Sequence, residues 1–443
     1  MRRTSTWRVA LTVSVVLLLA GSLVLGLRAG GADGSRPYRY RFERASRGST
    51  TRALESEIAF YQERIRRDPA GGLDRAALGR IYLKMARATG DLSWYLLAEQ
   101  AAQRSLRSLP FHNDAALLVL ARVAEARHDF NEALRLAQQA GESSDALSVL
   151  ASANLAMGRV DDATQAAEEL VKLSPGLASL ALRGLVRMAQ GQDGEAIEDF
   201  TRSIASEEPG ETGGSAWART LLGRLHAKRG RLALARSLYD EALRILPQYP
   251  LALLKLAELD ARAGRYDTVE RLYAQVVTIS EASPNVYDHA VLRGLAHVQE
   301  LRGESAAAAV SWNRAETRLR RDAADGSFGH RRELARLLLE RRRAGDLPEA
   351  LALMELETRT RRDPETLDIL AWALSRAGRW AEARETMREA LRSGLKDAGM
   401  FHRAGTIAQA LGDDGEARRY FRRSQETDPT FDEHARRALG IGF

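Results

Sequence analysis

Apolar positions recur along this chain at a fixed spacing. Leu222, Gly223, Gly230, Tyr239 and Ala242 have counterparts in Leu256, Ala257, Gly264, Tyr273 and Val276, each 34 residues on. Within one period, apolar and small residues fall at three- and four-residue intervals over about 216–229 and again over about 232–246. Gly230 separates the two runs and Pro247 stops the second. This pattern predicts two amphipathic helices joined by a tight turn. Gly223 and Ala235 are small enough for two antiparallel helices to approach closely. Tyr239, four residues after Ala235, shares its face and fills the space toward the next unit. One such pair cannot bury its apolar face alone, so the period predicts a stacked array.

The register extends over nine units, at about 114–143, 144–176, 177–210, 216–249, 250–283, 289–322, 331–363, 364–397 and 398–431. Turn glycines after the first unit are Gly158, Gly191, Gly230, Gly264, Gly303, Gly345, Gly378 and Gly412. Close-contact alanines of the second helices are Ala133, Ala163, Ala196, Ala235, Ala308, Ala350, Ala383 and Ala417, with Val269 breaking the series. Residues 53–110 hold a leading helix and a degenerate first unit, its turn stretched by about seven residues around 87–95. Further extra residues fall between units, at 205–215, 282–288 and 322–330. Residues 432–443 read as a polar capping helix and tail.

On these positions the chain resembles the tetratricopeptide repeat (TPR) family over roughly 72–431. The resemblance implies an all-α, right-handed superhelical solenoid of about ten antiparallel helix pairs, with the first helices lining its concave face. It implies binding of protein partners and is nearly silent on which ones. Some members clamp a C-terminal carboxylate with paired lysines and asparagines on the first helices. The matching positions here carry arginine and hydrophobes, so that function is not implied. Membrane-anchored bacterial members of lipopolysaccharide assembly end in a cysteine-ligated metal knob, and this chain has no cysteine.

Ahead of the array lies a segment of another kind. Residues 9–27 are apolar and uncharged, long enough as a helix to span a bilayer core of about 30 Å. They are expected to be an uncleaved signal anchor (1–27), with the Ala20-Gly21-Ser22 triplet as the competing cleavage reading. Arg2, Arg3 and Arg8 precede the run and favour an exported, periplasmic-side array. The arginines of the basic flexible linker at 28–52 count for a cytoplasmic one. Both orientations stay open.

Composition adds exclusions. The net charge is +7, and only five cations are lysines. The absence of cysteine rules out disulfides, thiol catalysis and cysteine-ligated zinc. The eight histidines form no HExxH pair, and there is no phosphate-binding loop, dinucleotide fingerprint or GxSxG elbow. Acidic pairs such as Asp161-Asp162 and Asp413-Asp414 stand where second helices begin and suit helix N-termini. No catalytic residue, metal ligand, cofactor or small-molecule substrate is inferred, and an enzyme is not expected.

What remains is surface. Projected by register, the inner face of units 144–210 is small or apolar, with Val149, Leu155, Leu182, Leu185 and Met188. From 216 onward it turns basic: Arg224, Lys228, Lys255, Arg262, Arg293, Arg332, Arg336, Arg342, Arg343, Arg376 and Arg403, opposed by Glu258, Glu300, Glu365 and Asp368. Such a groove suits an extended or helical protein segment with an acidic portion. The competing reading makes these arginines ordinary solvated residues of an Arg-rich chain. The expectation is therefore a membrane-anchored scaffold for an envelope, secretion or polysaccharide-export complex. The alternatives are a cytoplasm-facing adaptor and a helical-repeat nucleic-acid binder. Few inward aromatics, Trp372 among them, count against the last.

Overall fold

The small residues that set the period also set the packing. In a computed structural model of the chain, Ala133, Ala163, Ala196, Ala235, Ala350 and Ala383 are fully buried. A Cβ at Gly223 would lie 2.4 Å from the Tyr239 ring, so the first helix must be bare there for the tyrosine to cross it. The same substitution of space for ring recurs at Gly184 under Phe200, Gly294 under Tyr273 and Gly405 under Phe421. Each such ring, removed from water, contributes about 2–3 kcal/mol.

The structure describes residues 38–43, 46, 48–280, 285–324 and 331–441. The expected anchor at 1–27, residues 28–37 of the linker, and parts of 282–288 and 322–330 lie outside them. The chain divides into residues 1–39, of which Tyr38 and Arg39 are described, and a unit of residues 40–443. Among the described residues there is no strand, and no helix is long and apolar enough to cross a membrane.

Helix α1 (Ser49–Arg67) leads ten hairpins. They are α2 (Gly72–Thr89) with α3 (Ser93–Ser108), α4 (Asp114–Ala126) with α5 (Phe130–Gln139), and α6 (Ser144–Met157) with α7 (Val160–Leu173). Next come α8 (Leu177–Ala189) with α9 (Asp193–Ala205), α10 (Thr212–Ala227) with α11 (Leu232–Ile245), and α12 (Pro250–Arg262) with α13 (Tyr266–Ser280). Then follow α14 (Asp288–Leu301) with α15 (Ser305–Ala324), α16 (Arg331–Arg341) with α17 (Asp346–Glu357), α18 (Pro364–Arg376) with α19 (Trp380–Ala390), and α20 (Ala398–Ala410) with α21 (Asp414–Thr427). A short α22 (Glu433–Ala438) closes the series. Asp129, Ser143, Asp363, Asp397 and Asp413 cap helices by accepting backbone N–H groups, and Asp161 and Asp162 sit in the first turn of α7.

First helices pack on the first helices of neighbouring units as well as on their own partners. Second helices have no comparable packing on one another. This asymmetry curves the solenoid and puts the first helices on its inner side. Two local expectations change. The turn in the degenerate unit is only residues 90–92, because its extra residues lengthen α2 and α3. Residues 212–215 of the insertion form the first turn of α10 rather than a loop. Within the stretch read as linker, Tyr40 is buried, its N–H donated to Glu241 at 3.0 Å, and residues 49–52 are helical.

The curvature brings the chain back against itself. The turn inside one unit meets the loop between the units five and six further on. Arg362 donates its N–H to the Met157 carbonyl at 3.2 Å, and a Cβ at Gly158 would lie 2.5 Å from the Arg362 carbonyl oxygen. Gly191 meets Gly394, Gly230 meets Asp428, and Gly90 meets Asn285 in the same way. Successive turns of the superhelix therefore touch along its axis.

Candidate functional site on the inner face

Because the turns touch, the inner face is walled by two levels of first helices. Its central cavity is about 550 Å³ and is lined from α10, α12, α14, α16, α18, α20 and the segment 428–441. Eight of the eleven predicted groove cations have carboxylate partners of this same chain. Three of these pairs cross between levels. Arg224 Nη2 donates to Glu365 at 2.5 Å, 141 residues away. Lys228 Nζ donates to Asp397 at 2.7 Å and Arg262 Nη2 to Asp428 at 2.8 Å, over 169 and 166 residues. The other five are more local. Lys255 pairs with Glu258 at 2.7 Å, Arg332 with Glu333 at 2.8 Å and Arg403 with Asp368 at 2.8 Å. Arg336 and Arg293 share Glu340, at 2.8 and 3.5 Å.

These partners shape the titration of the site. The Arg224 guanidinium holds the Glu365 carboxyl far below the usual range. Burial would raise Glu340, but Arg293, Arg336 and His297 together pull it down to about 2. Asp368 goes the other way: burial outweighs Arg403 and raises it. Asp363 and Asp397 serve twice, as helix caps and as partners of Arg332 and Lys228. Glu300, expected among the opposing acids, accepts instead from Trp312 Nε1 at 2.8 Å.

Three predicted cations have no carboxylate partner among the described residues. Arg342 and Arg343 are exposed just beyond α16, and Arg343 donates to Asn313. Arg376, at the end of α18, is half-buried, and burial together with the neighbouring charge of Arg342 lowers its pKa. The apolar groove needs correction. Val149, Leu182 and Met188 are buried in the core, because the first helices are covered on more faces than the register projection allowed. Leu155 and Leu185 are half-buried against the cluster around Ala163 and Val186.

The segment read from the sequence as a polar cap turns inward instead of only closing the end of the array. Residues 431–441 lie against the inner helices, with α22 packed on α12 and α14. Ala438 joins the cluster of Leu256, Leu259 and Val298. Arg336 donates to the Leu439 carbonyl at 3.3 Å, and Gly440, at φ +66°, passes against His297 and Glu340 where any Cβ would clash. Phe431 and Ala435 pack with Ala398. Among the described residues no group of histidines and carboxylates could hold a metal ion.

Comparison with known proteins bears on the repeats. No curated protein matches the sequence. Among solved structures, yeast Tom70 is 12% identical with a TM-score of 0.41, covering 89% of this chain and 92% of its own. The human IFIT1 dimer with PPP-AAAA is 12% identical with a TM-score of 0.35, covering 84% of this chain and 67% of its own. Likeness of that degree carries nothing about binding. Tetratricopeptide repeat family models match residues 115–178, 177–248 and 370–430. With their helix pairs and period, these stretches of the chain are tetratricopeptide repeats.

Proposed function

We propose that this protein is a protein-interaction scaffold whose inner face takes a short helical or extended segment of a partner. The observation that carries the reading is the seating of residues 431–441. A six-residue helix lies on α12 and α14 through Ala438, and the carbonyl of Leu439 just after it accepts from Arg336. A surface that accepts one short helix in this way has the shape and the donors for another. The partner's acidic portion meets Arg342, Arg343 and Arg376, the groove cations without a carboxylate partner among the described residues.

Residues 9–27 tether the scaffold to a membrane in this proposal, with the array on the exported side and an envelope, secretion or polysaccharide-export complex as its setting. The uncharged run and the three arginines before it support that arrangement. Tethering would raise the partner's local concentration. The test is in-cell crosslinking and pull-down of the full-length protein beside an Arg342→Glu/Arg343→Glu variant. One abundant partner that falls at least tenfold in the variant supports the reading. Equal recovery removes the acidic contact, and no partner from either protein removes the scaffold. A topology reporter fused to the array decides its side.

A further inference from the structure

The last segment is fastened unevenly. Up to Thr430 the chain is tied to the array. Arg262 Nη2 donates to Asp428 at 2.8 Å and to Thr430 Oγ1 at 2.6 Å, and the Arg262 and Asp428 side chains are both buried. Phe431 follows, packed on Ala398. Over residues 432–441 the buried side chains are two methyl groups, those of Ala435 and Ala438, while Asp432, Glu433, His434 and Arg437 are exposed. A six-residue helix does not persist alone in water. So little buried apolar area places residues 432–441 at the low-stability end of the structure.

The seat fits one kind of helix end. α22 closes with two hydrogen bonds, from Gly440 N–H to the Arg437 carbonyl at 3.2 Å and from Ile441 N–H to the Arg436 carbonyl at 2.8 Å. This closure puts a left-handed glycine just past the helix. A Cβ at Gly440 would lie 2.5 Å from His297 Nε2 and 2.8 Å from Glu340 Oε1, and those two groups hold each other at 3.1 Å. Arg336, oriented by Glu340 at 2.8 Å, donates to the Leu439 carbonyl, where the helix dipole is negative. Leu439 and Ile441 pack against the cluster of Ala398, Phe431 and Ala435. The surface therefore meets small residues three apart, a last-turn carbonyl, a glycine and an apolar residue after it.

We infer that residues 432–441 are an internal ligand of this seat, displaced by a partner segment with the same end: a short helix with small residues three apart, closed by a glycine and an apolar residue. The inference rests on the scaffold reading and adds which helix end is recognised and that the unbound chain blocks its own site. Phe431 and the Arg262–Asp428 pair stay in place as the hinge.

Fluorescence anisotropy with a labelled synthetic peptide of residues 429–441 tests it on the full-length protein. Gly440→Val and Ala438→Glu each spoil the internal copy and leave every residue of the array unchanged. The peptide should bind either variant about tenfold more tightly than it binds the parent. The same peptide carrying Gly440→Val should bind neither. Hydrogen exchange at residues 433–441 should rise about tenfold in both variants. The inference is overturned if the segment stays protected in both variants, if parent and variants bind the peptide equally, or if the two peptides bind alike. A dimer of the parent that the peptide dissociates would put a second copy's segment in the seat and overturn displacement by a partner. In the crosslinking experiment, Gly440→Val should recover about threefold more partner. Unchanged recovery overturns the competition and leaves the scaffold reading standing, whereas no partner from any version removes that reading and leaves the peptide to decide the seat.

Discussion

Asn285 holds the turn that follows Thr89. Its Nδ2 donates to the Thr89 carbonyl at 2.9 Å across 196 residues, while the next N–H, of Val286, donates to Gly90 at 2.9 Å. Asn285 comes from an insertion between two units, and Gly90 from the turn of the degenerate first unit. Two departures from the repeat meet each other and join two levels of the superhelix. Asn285→Ala should cost about 1–2 kcal/mol, since it leaves the Thr89 carbonyl and the Tyr287 N–H without their side-chain partner. Hydrogen exchange at residues 89–91 should rise in step, and unchanged exchange there would show that the contact does not fasten the levels.

The turn glycines provide an internal control. Gly191 and Gly264 have nearly equal backbone angles, φ +71° and +70°. A Cβ at Gly191 would lie 2.1 Å from the Gly394 carbonyl oxygen, whereas one at Gly264 meets nothing within 4 Å. Gly264→Ala should therefore cost about 1 kcal/mol for the left-handed conformation alone. Gly191→Ala should cost roughly 2 kcal/mol more, because the levels must part. Urea denaturation of both variants measures the difference, and equal losses would refute contact between levels in solution.

His226 reports on the core. Among the described residues neither of its ring nitrogens has a partner, and burial, aided by Arg231, lowers its pKa to about 4. Burial with Arg436 and Arg403 does the same for His402. Both are held neutral in the folded chain and protonate more readily when unfolded. Their contribution is full above pH 6.5 and is lost as pH falls from 6.5 through 4. His226→Leu should flatten that part of the stability profile by about half, the rest belonging to His402. A profile as steep as the parent's would show that His226 is solvated.

Glu340 sets a second, more acidic limb. It is held at about 2 among Arg293, Arg336 and His297, so its stabilisation is present above the ordinary carboxylate range and lost as pH falls from 4.5 through 2. Glu340→Ala strands three basic groups and should cost about 3–5 kcal/mol at pH 7. Glu340→Gln should cost less and shrink the limb below pH 4.5, the rest belonging to Glu365 and Glu333. Thermal melts from pH 2 to 7 distinguish the two.

The sequence was most informative where structure is local. All eight turn glycines it marks, from Gly158 to Gly412, have positive φ, because a left-handed turn between two helices leaves its mark on a single position. Burial on the first helices was less legible. Val149 and Met188 were placed on a groove by a projection that takes each unit in isolation, and neighbouring first helices cover them. The pairing of Arg224 with Glu365 was beyond reach. Each residue was marked as inward, but who faces whom depends on the rotation per unit, which a 34-residue period does not contain.

That rotation has a consequence for how the array can change length. Gly158, Gly191 and Gly230 each meet a loop the same number of units ahead. The unit count between contacts thus works like the thread of a screw. Loss or duplication of one unit inside that span would leave every helix pair intact and yet put each glycine against the wrong partner. An open array can grow by single units, whereas this one has a phase to keep. Cations such as Arg262 and acids such as Asp428 are then bound to their places by counting, as much as by their own surroundings.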